Sequence, residues 1–180
     1  MKIMFASDIH GSAIYCEKML ERYEAEAAGR LVLLGDILYH GPRNALPKEY
    51  DPQRVAELLN RYRDDIFCVR GNCDAAVDQM LLQFNILADY IYLISGDISM
   101  FVTHGHLYSP EEPPPLKAGE ILIGGHTHIH AAERVSNFYY INPGSVSIPK
   151  NNQESSYMVL EDRTFIIKNI EGTEIVRIKV

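Results

Sequence analysis

Three apolar runs in the first half of the chain each stop on a polar cluster: "KIMFAS" before Asp8-Ile9-His10, "RLVLL" before Gly35-Asp36, and "IFCVR" before Gly71-Asn72-Cys73-Asp74. Between them, Cys16, Met19, Leu20, Tyr23 and Ala27, and then Val55, Leu58, Leu59 and Tyr62, recur at the spacing of one helix face. A buried strand, a loop and an amphipathic helix, repeated, form a parallel sheet with right-handed crossovers, because strands that run the same way need a covering connection. All strand C-terminal ends then lie along one edge, and so do the polar clusters that follow them. Pro42, Pro47 and Pro52 mark the loop after the second strand, and "AAVDQMLLQ" after Asp74 reads as a third helix.

From Tyr90 the pattern changes to short strands: "YIYLI", "ISMFVTHG", "EILIGG", "NFYYINPG", "SYMVLED", "TFIIKNI" and "TEIVRIKV", separated by "SGD", "DR" or "EG" turns. Two sheets packed face to face with helices outside accommodate both halves. "SPEEPPP" is read as a surface excursion, too short to link domains, and the 180 residues as one domain over 1–180.

The net charge of −7 argues against a broad basic face for extended nucleic acid or an anionic membrane, but leaves room for a local positive site built from metal ions. Lys2 precedes only the short apolar stretch "IMFA", and no apolar run approaches membrane-spanning length, so a cytoplasmic protein is expected. Three cysteines without C-x-x-C spacing fit a reducing compartment. Cys16 and Cys68 read as core; Cys73 sits among turn formers.

"GGHTHIH" places His126, His128 and His130 at a spacing of two, which turns them to one face of an extended segment. Such a cluster is either an exposed polar face or part of a metal site, and the other donors decide between them. Asp8 and His10, Asp36, Asn72, His104, and His126 with His128 each follow a strand-like run. These seven nitrogen and oxygen donors exceed what one tetrahedral zinc uses, and the set lacks thiolates, so two metals are the natural count.

In this order, "DIH", "GD", "GNCD", "THGH" and "GGHTH" resemble the signature of the calcineurin-like metallophosphoesterases, and "GDILYHGPRN" with cysteine in "GNCD" resembles the small prokaryotic YfcE-type phosphodiesterase branch of that family. The resemblance implies an α/β fold, a four-layer α/β/β/α sandwich of two mixed sheets flanked by helices. It also implies a binuclear site: one metal on Asp8, His10 and His128, the other on Asn72, His104 and His126, with Asp36 bridging. A bridging carboxylate holds two cations about 3.5 to 4 Å apart, where they can share a hydroxide and clamp a phosphoryl oxygen. Sulfur-free donors favour Mn²⁺, Zn²⁺, Fe or Mg²⁺, with Mn²⁺ the first expectation.

The implied activity is hydrolysis of a small phosphodiester by attack of the shared hydroxide. Two divalent cations, two carboxylates and one hydroxide leave a charge of about +1, suited to a singly charged diester. Asp36, Asn72 and Cys73 are the expected catalytic residues, and His40, Arg43 and Asn44 of "YHGPRN" the expected substrate-binding ones. Cys73 stands where wider relatives carry histidine in "GNHE" or "GNHD". A thiol donates weakly, so dependence on a good leaving group is expected. Asp74 is expected to cap the following helix or to hydrogen-bond a neighbouring histidine, and His106 and His130 to lie outside the coordination shells.

Two alternatives follow from the same residues: a phosphomonoesterase or protein phosphatase on the same site, and a metal-binding interaction scaffold of the retromer-subunit type. A scaffold has no need of both donor sets, and both are complete here. The expected partner is a small-molecule phosphodiester, with no extended nucleic acid and no membrane; a homo-oligomer is compatible with the sequence.

Overall fold

The computed structural model describes residues 2–180. The elements are β1 (Ile3–Ala6), α1 (Ala13–Ala25), β2 (Arg30–Leu33), α2 (Pro52–Asn60), β3 (Ile66–Cys68), β4 (Tyr90–Ser95), β5 (Ile98–Thr103), β6 (Ile121–Ile123), β7 (Ala131–Val135), β8 (Phe138–Asn142), β9 (Ser156–Glu161), β10 (Thr164–Asn169) and β11 (Glu174–Lys179). They form two mixed sheets, ordered β11-β10-β9-β1-β2-β3 and β4-β5-β6-β8-β7. β1, β2 and β3 run parallel in the first, and β5, β6 and β8 in the second. Antiparallel strands flank each parallel set.

All four residues of β1 are buried, because one face meets helices and the other meets the second sheet. Met4, Leu31 and Leu33 pack against Cys16, Met19 and Leu20 of α1 and Val55, Leu58 and Leu59 of α2. Phe5, Val32 and Val69 face Met100, Val102, Ile123 and Ile141 across the sandwich. α2 starts where Asp51 accepts the Arg54 N–H at 3.0 Å and Pro52 occupies the first turn, whose N–H would be unpaired in any case. Among the described residues, no helix is long and apolar enough to cross a membrane.

The α/β sandwich of two mixed sheets matches expectation; two local readings differ. The "AAVDQMLLQ" helix is a single 3-10 turn, Asp78–Met80. Its intended cap is occupied elsewhere, since the Asp74 carboxylate accepts N–H groups from Asp36, Ile37 and Gly71 at 2.8, 2.8 and 2.7 Å, and no histidine. The chain instead buries Leu82, Phe84 and Ile86 at alternate positions, and Gln79 bonds the backbone of Leu82, Phe84 and Ile86. The second difference is the fourth layer, which is not a helix. Phe101, Leu122, Phe138 and Tyr140 on the outer face of the second sheet are covered by Tyr108 and Leu116, with Pro114 buried between them in sequence. The proline-rich stretch is a covering layer that cannot be helical, because its prolines lack the N–H donors a helix needs.

Behind α1, Glu26 accepts Tyr157 Oη at 2.9 Å, Lys168 Nζ at 2.5 Å and Lys2 Nζ at 3.2 Å, tying helix to sheet. Burial pushes its carboxyl up, but these donors outweigh burial and hold it below the usual carboxylate range. A depressed folded-state pKa contributes stability that is present above the unfolded value and lost as pH falls through the folded one. Glu26→Gln should therefore lose about 1–2 kcal/mol at pH 7. In thermal melts the gap from wild type should close below about pH 4; an equal gap at pH 3 and pH 7 would reject the ion-pair account.

Candidate metal centre and substrate cleft

The donors converge because parallel strands of both sheets end at one edge: Asp8 and His10 after β1, Asp36 after β2, Asn72 after β3, His104 after β5, and His126 and His128 after β6. Around one point, Asp8 Oδ1 lies 3.2 Å from His128 Nε2 and 3.5 Å from His10 Nε2, and the two nitrogens are 3.2 Å apart. Around a second, His104 Nε2 lies 3.1 Å from Asn72 Oδ1 and 3.2 Å from His126 Nδ1. Asp36 Oδ2 belongs to both, 3.6 Å from His10 Nε2 and 3.5 Å from His104 Nε2. Ligand atoms about 2.1 Å from a tetrahedral cation stand about 3.4 Å apart, so both sets have the spacing of coordination edges.

The backbone sets the tautomers. Nδ1 of His10, His104 and His128 donates to the carbonyls of Tyr39, Leu34 and Ile148 at 2.8, 2.7 and 2.8 Å. Each Nε2 is thereby left with a lone pair aimed at the cluster, the arrangement that supports metal ligation. Burial, reinforced by His104, lowers the His126 pKa and keeps that ring neutral. The Asp8 carboxylate is fully buried. Its Oδ2 accepts from Ser7 Oγ at 2.6 Å and from His126 N at 3.1 Å, while its buried Oδ1 has no hydrogen-bond partner. A fully buried carboxylate oxygen without a donor is costly, and a cation between it and the two imidazoles answers the cost.

Five of these residues hold left-handed backbone: Asp8, His10, Asp36, His126 and His128 have φ of 58°, 49°, 55°, 65° and 61°. Each such conformation costs of order 1–3 kcal/mol and persists only where its surroundings enforce it. Asp74 fixes the backbone on either side of Asp36. Ser145 Oγ and Ser147 Oγ donate to the Asp8 carbonyl at 2.9 and 3.1 Å, and Asn142 Nδ2 donates to the Gly125 carbonyl at 2.8 Å. Ser7, Asn142, Ser145 and Ser147 were not anticipated, although "INPGS" repeats the signal that marked the other strands, an apolar run stopping on an Asn and a Gly at the end of β8.

A cleft of about 430 Å³ opens over Asp36, Asn72, His126 and His128, with walls from Arg43, Asn44, Thr127 and Lys150. Arg43 and Asn44, expected from the sequence to bind substrate, therefore line this cleft. Lys150 and Thr127 were missed; the Lys150 N–H is bonded to the His128 carbonyl at 3.1 Å, which carries its side chain to the cleft. His40 is the exception among the expected substrate residues. Its ring packs edge-on against Tyr39 and Tyr50, at centroid distances of 4.7 and 5.1 Å, and stays out of the cleft wall. Its carbonyl accepts Asn44 Nδ2 at 2.8 Å, so it supports the loop. Cys73 does line the cleft. Its N–H donates to Asp36 Oδ1 at 2.8 Å, and burial with the neighbouring Asp36 charge pushes its thiol up to about 12. His106 and His130 lie outside both donor sets.

With strand-end carboxylates, imidazoles and an amide brought together, the chain belongs to the calcineurin-like phosphoesterase superfamily, whose domain pattern matches residues 1–164. That is a class of metal-dependent phosphoester hydrolases. Phosphodiesterase YfcE of Escherichia coli (strain K12) is 49% identical over 162 residues, 90% of this chain and 88% of the relative. The solved structure of YfcE, a phosphoesterase from E. coli, superposes with a TM-score of 0.97 at 45% identity, covering 99% of this chain and 98% of that one. Phosphodiesterase MJ0936 of Methanocaldococcus jannaschii is 30% identical over 152 residues, 80% of this chain and 83% of the relative. Wild-type Vps29 from Entamoeba histolytica, solved with Zn²⁺, shares the fold alone, with a TM-score of 0.61 at 19% identity over 99% and 98% of the two chains.

Proposed function

We propose that this chain is a cytoplasmic phosphodiesterase that holds two divalent cations, Mn²⁺ by preference, and cleaves a small phosphodiester. The observation that carries the reading is the position of Asp36 Oδ2, within 3.6 Å of His10 Nε2 and 3.5 Å of His104 Nε2, so that one carboxylate oxygen serves both donor sets. Asp8, His10 and His128 complete one set; Asn72, His104 and His126 complete the other. Bound cations supply Lewis acidity there, making water a nucleophile near neutral pH and offsetting charge on the phosphoryl oxygens.

The chain's own residues do the rest. Arg43 and Lys150 bring positive charge to a cleft whose floor is otherwise acidic or neutral, which draws a phosphate and orients its oxygens. Asn44 offers an amide whose Nδ2 is partly committed to the His40 carbonyl. Cys73, held against Asp36, places a weak S–H donor where wider relatives carry an imidazole. Weak proton donation leaves the departing oxygen to carry its own charge, so turnover should follow leaving-group acidity. General-acid assistance of the missing kind is worth about 10² to 10⁴ in rate.

The test is a panel of paired mono- and diesters of phenols and alcohols, assayed with Mn²⁺, Mg²⁺, Zn²⁺ and chelator. Aryl diesters with Mn²⁺ should turn over faster than the matching aryl monoesters, and faster than dialkyl diesters by at least about tenfold. Monoesters at parity or better would make this a phosphomonoesterase. Tight metal binding without turnover of any phosphoester would favour the scaffold.

A further inference from the structure

Cys73 lines two depressions. On one side is the metal cleft; on the other is a groove of about 300 Å³ walled by Leu38, Tyr39, Tyr50, Pro52, Val77 and Leu81. Both volumes are in the range of small-ligand pockets. The two surfaces differ in charge: Arg43 and Lys150 border the cleft beside Asp36, whereas among the described residues the charged one lining the groove is Asp78.

Three of the groove's apolar side chains face solvent, Tyr39 at 41%, Val77 at 63% and Leu81 at 46% exposure, and none of them belongs to a hydrophobic core cluster. Exposed apolar groups gathered around one groove mark a binding surface, in contrast to single ones scattered over a protein. The groove is also preformed. The Tyr39 ring rests on His40, which rests on Tyr50, and the Tyr39 carbonyl holds the metal-facing His10 at 2.8 Å. On the opposite wall, the Asp78 carboxylate is fixed by the Ala75 N–H at 2.8 Å, and the Leu81 carbonyl accepts Asn60 Nδ2 at 2.8 Å. The wall from Ala75 to Leu81 is the segment whose sequence reads as a helix and does not fold as one. Its apolar residues are left exposed beside the site, and such local disagreement between sequence and structure is characteristic of functional sites.

We infer that this groove is the subsite for one esterifying group of the phosphodiester, and that this group is aromatic and carries no negative charge. The inference rests on the phosphodiesterase reading. With the phosphate on the donor clusters, one substituent passes Cys73 into the groove, where an aromatic ring meets the tyrosine faces and the Leu81 side chain. Asp78 repels an anionic substituent and tolerates a neutral or cationic one. Phosphodiesters of nucleosides and of phenols meet this description; those bearing only sugar, glycerol or carboxylate groups do not.

The experiment uses phenylphosphonate and methylphosphonate as competing probes against turnover of methyl p-nitrophenyl phosphate with Mn²⁺. Wild type should bind phenylphosphonate about tenfold tighter than methylphosphonate. It should also prefer phenylphosphonate to its p-carboxy derivative. In Leu81→Asp and Val77→Asp, both at exposed positions, the phenyl advantage should fall to about twofold or less, while methylphosphonate inhibition stays unchanged. Two variants guard against a folding defect in one, and thermal melts identify it. Equal inhibition by the two phosphonates in wild type, or an unchanged phenyl advantage in both variants, would overturn the subsite. Failure of wild type to turn over any diester would instead remove the phosphodiesterase reading beneath it.

Discussion

Asp36→Asn should lose bound metal at both donor sets and turnover by roughly 10³-fold or more, a larger loss than replacement of any one histidine. The geometry explains why so small a change has such reach. Asp36 Oδ1 accepts the Cys73 N–H at 2.8 Å, which fixes the carboxylate and leaves Oδ2 facing His10 and His104 at 3.6 and 3.5 Å. In the asparagine variant the amide oxygen is the group able to accept from Cys73. The amide NH₂ is then turned toward two imidazole lone pairs, where it offers hydrogens in place of a lone pair and a charge. Metal content and kcat/KM measured on the same preparation check this. A variant with unchanged metal content and near-normal rate would remove Asp36 from its shared position.

Gly71→Ala should be nearly as damaging, although residue 71 contributes no ligand atom. A Cβ there would stand 2.1 Å from Asp36 Oδ1 and 2.4 Å from the Asp36 backbone N, closer than real contacts allow. Asp36 cannot yield easily, because the Asp74 carboxylate grips the N–H groups of Asp36, Ile37 and Gly71 together. Relief therefore requires moving the shared carboxylate. Activity should fall at least about 100-fold, with a destabilisation of about 1–3 kcal/mol from overpacking. Gly96→Ala is the matched control: its φ is 63°, and its Cβ would meet nothing within 4 Å. Backbone strain there should reduce stability by about 1 kcal/mol and leave turnover intact. Equal activity in the two variants would show that crowding at Asp36 is unimportant.

What could be read in the sequence was the part governed by chain periodicity. Asp8, His10, Asp36, Asn72, His104, His126 and His128 each follow an apolar run, and parallel strands place such ends together whatever the details of packing. Residues recruited from distant loops left weaker signals. Lys150 comes to the cleft through a backbone bond to His128, which no local pattern announces, and His40 is withdrawn from it by Tyr39 and Tyr50. The helix expected after Asp74 failed for a tertiary reason. Its apolar spacing is genuine, but its cap is committed to the backbone around Asp36, and Leu82, Phe84 and Ile86 fit the core only as an extended segment. The outer face of the second sheet shows the same limit, since an apolar sheet face requires a cover, but the cover can be a helix or, as here, Tyr108 and Leu116 on a proline-rich loop.

The most direct measurement is a titration of metal-free protein with Mn²⁺, with bound metal per chain determined by elemental analysis at each step alongside hydrolysis of bis(p-nitrophenyl) phosphate. Activity should be low at one equivalent, reach its plateau at about two per chain, and disappear with chelator. A plateau at one metal per chain, or turnover that survives complete removal of metal, would contradict the account.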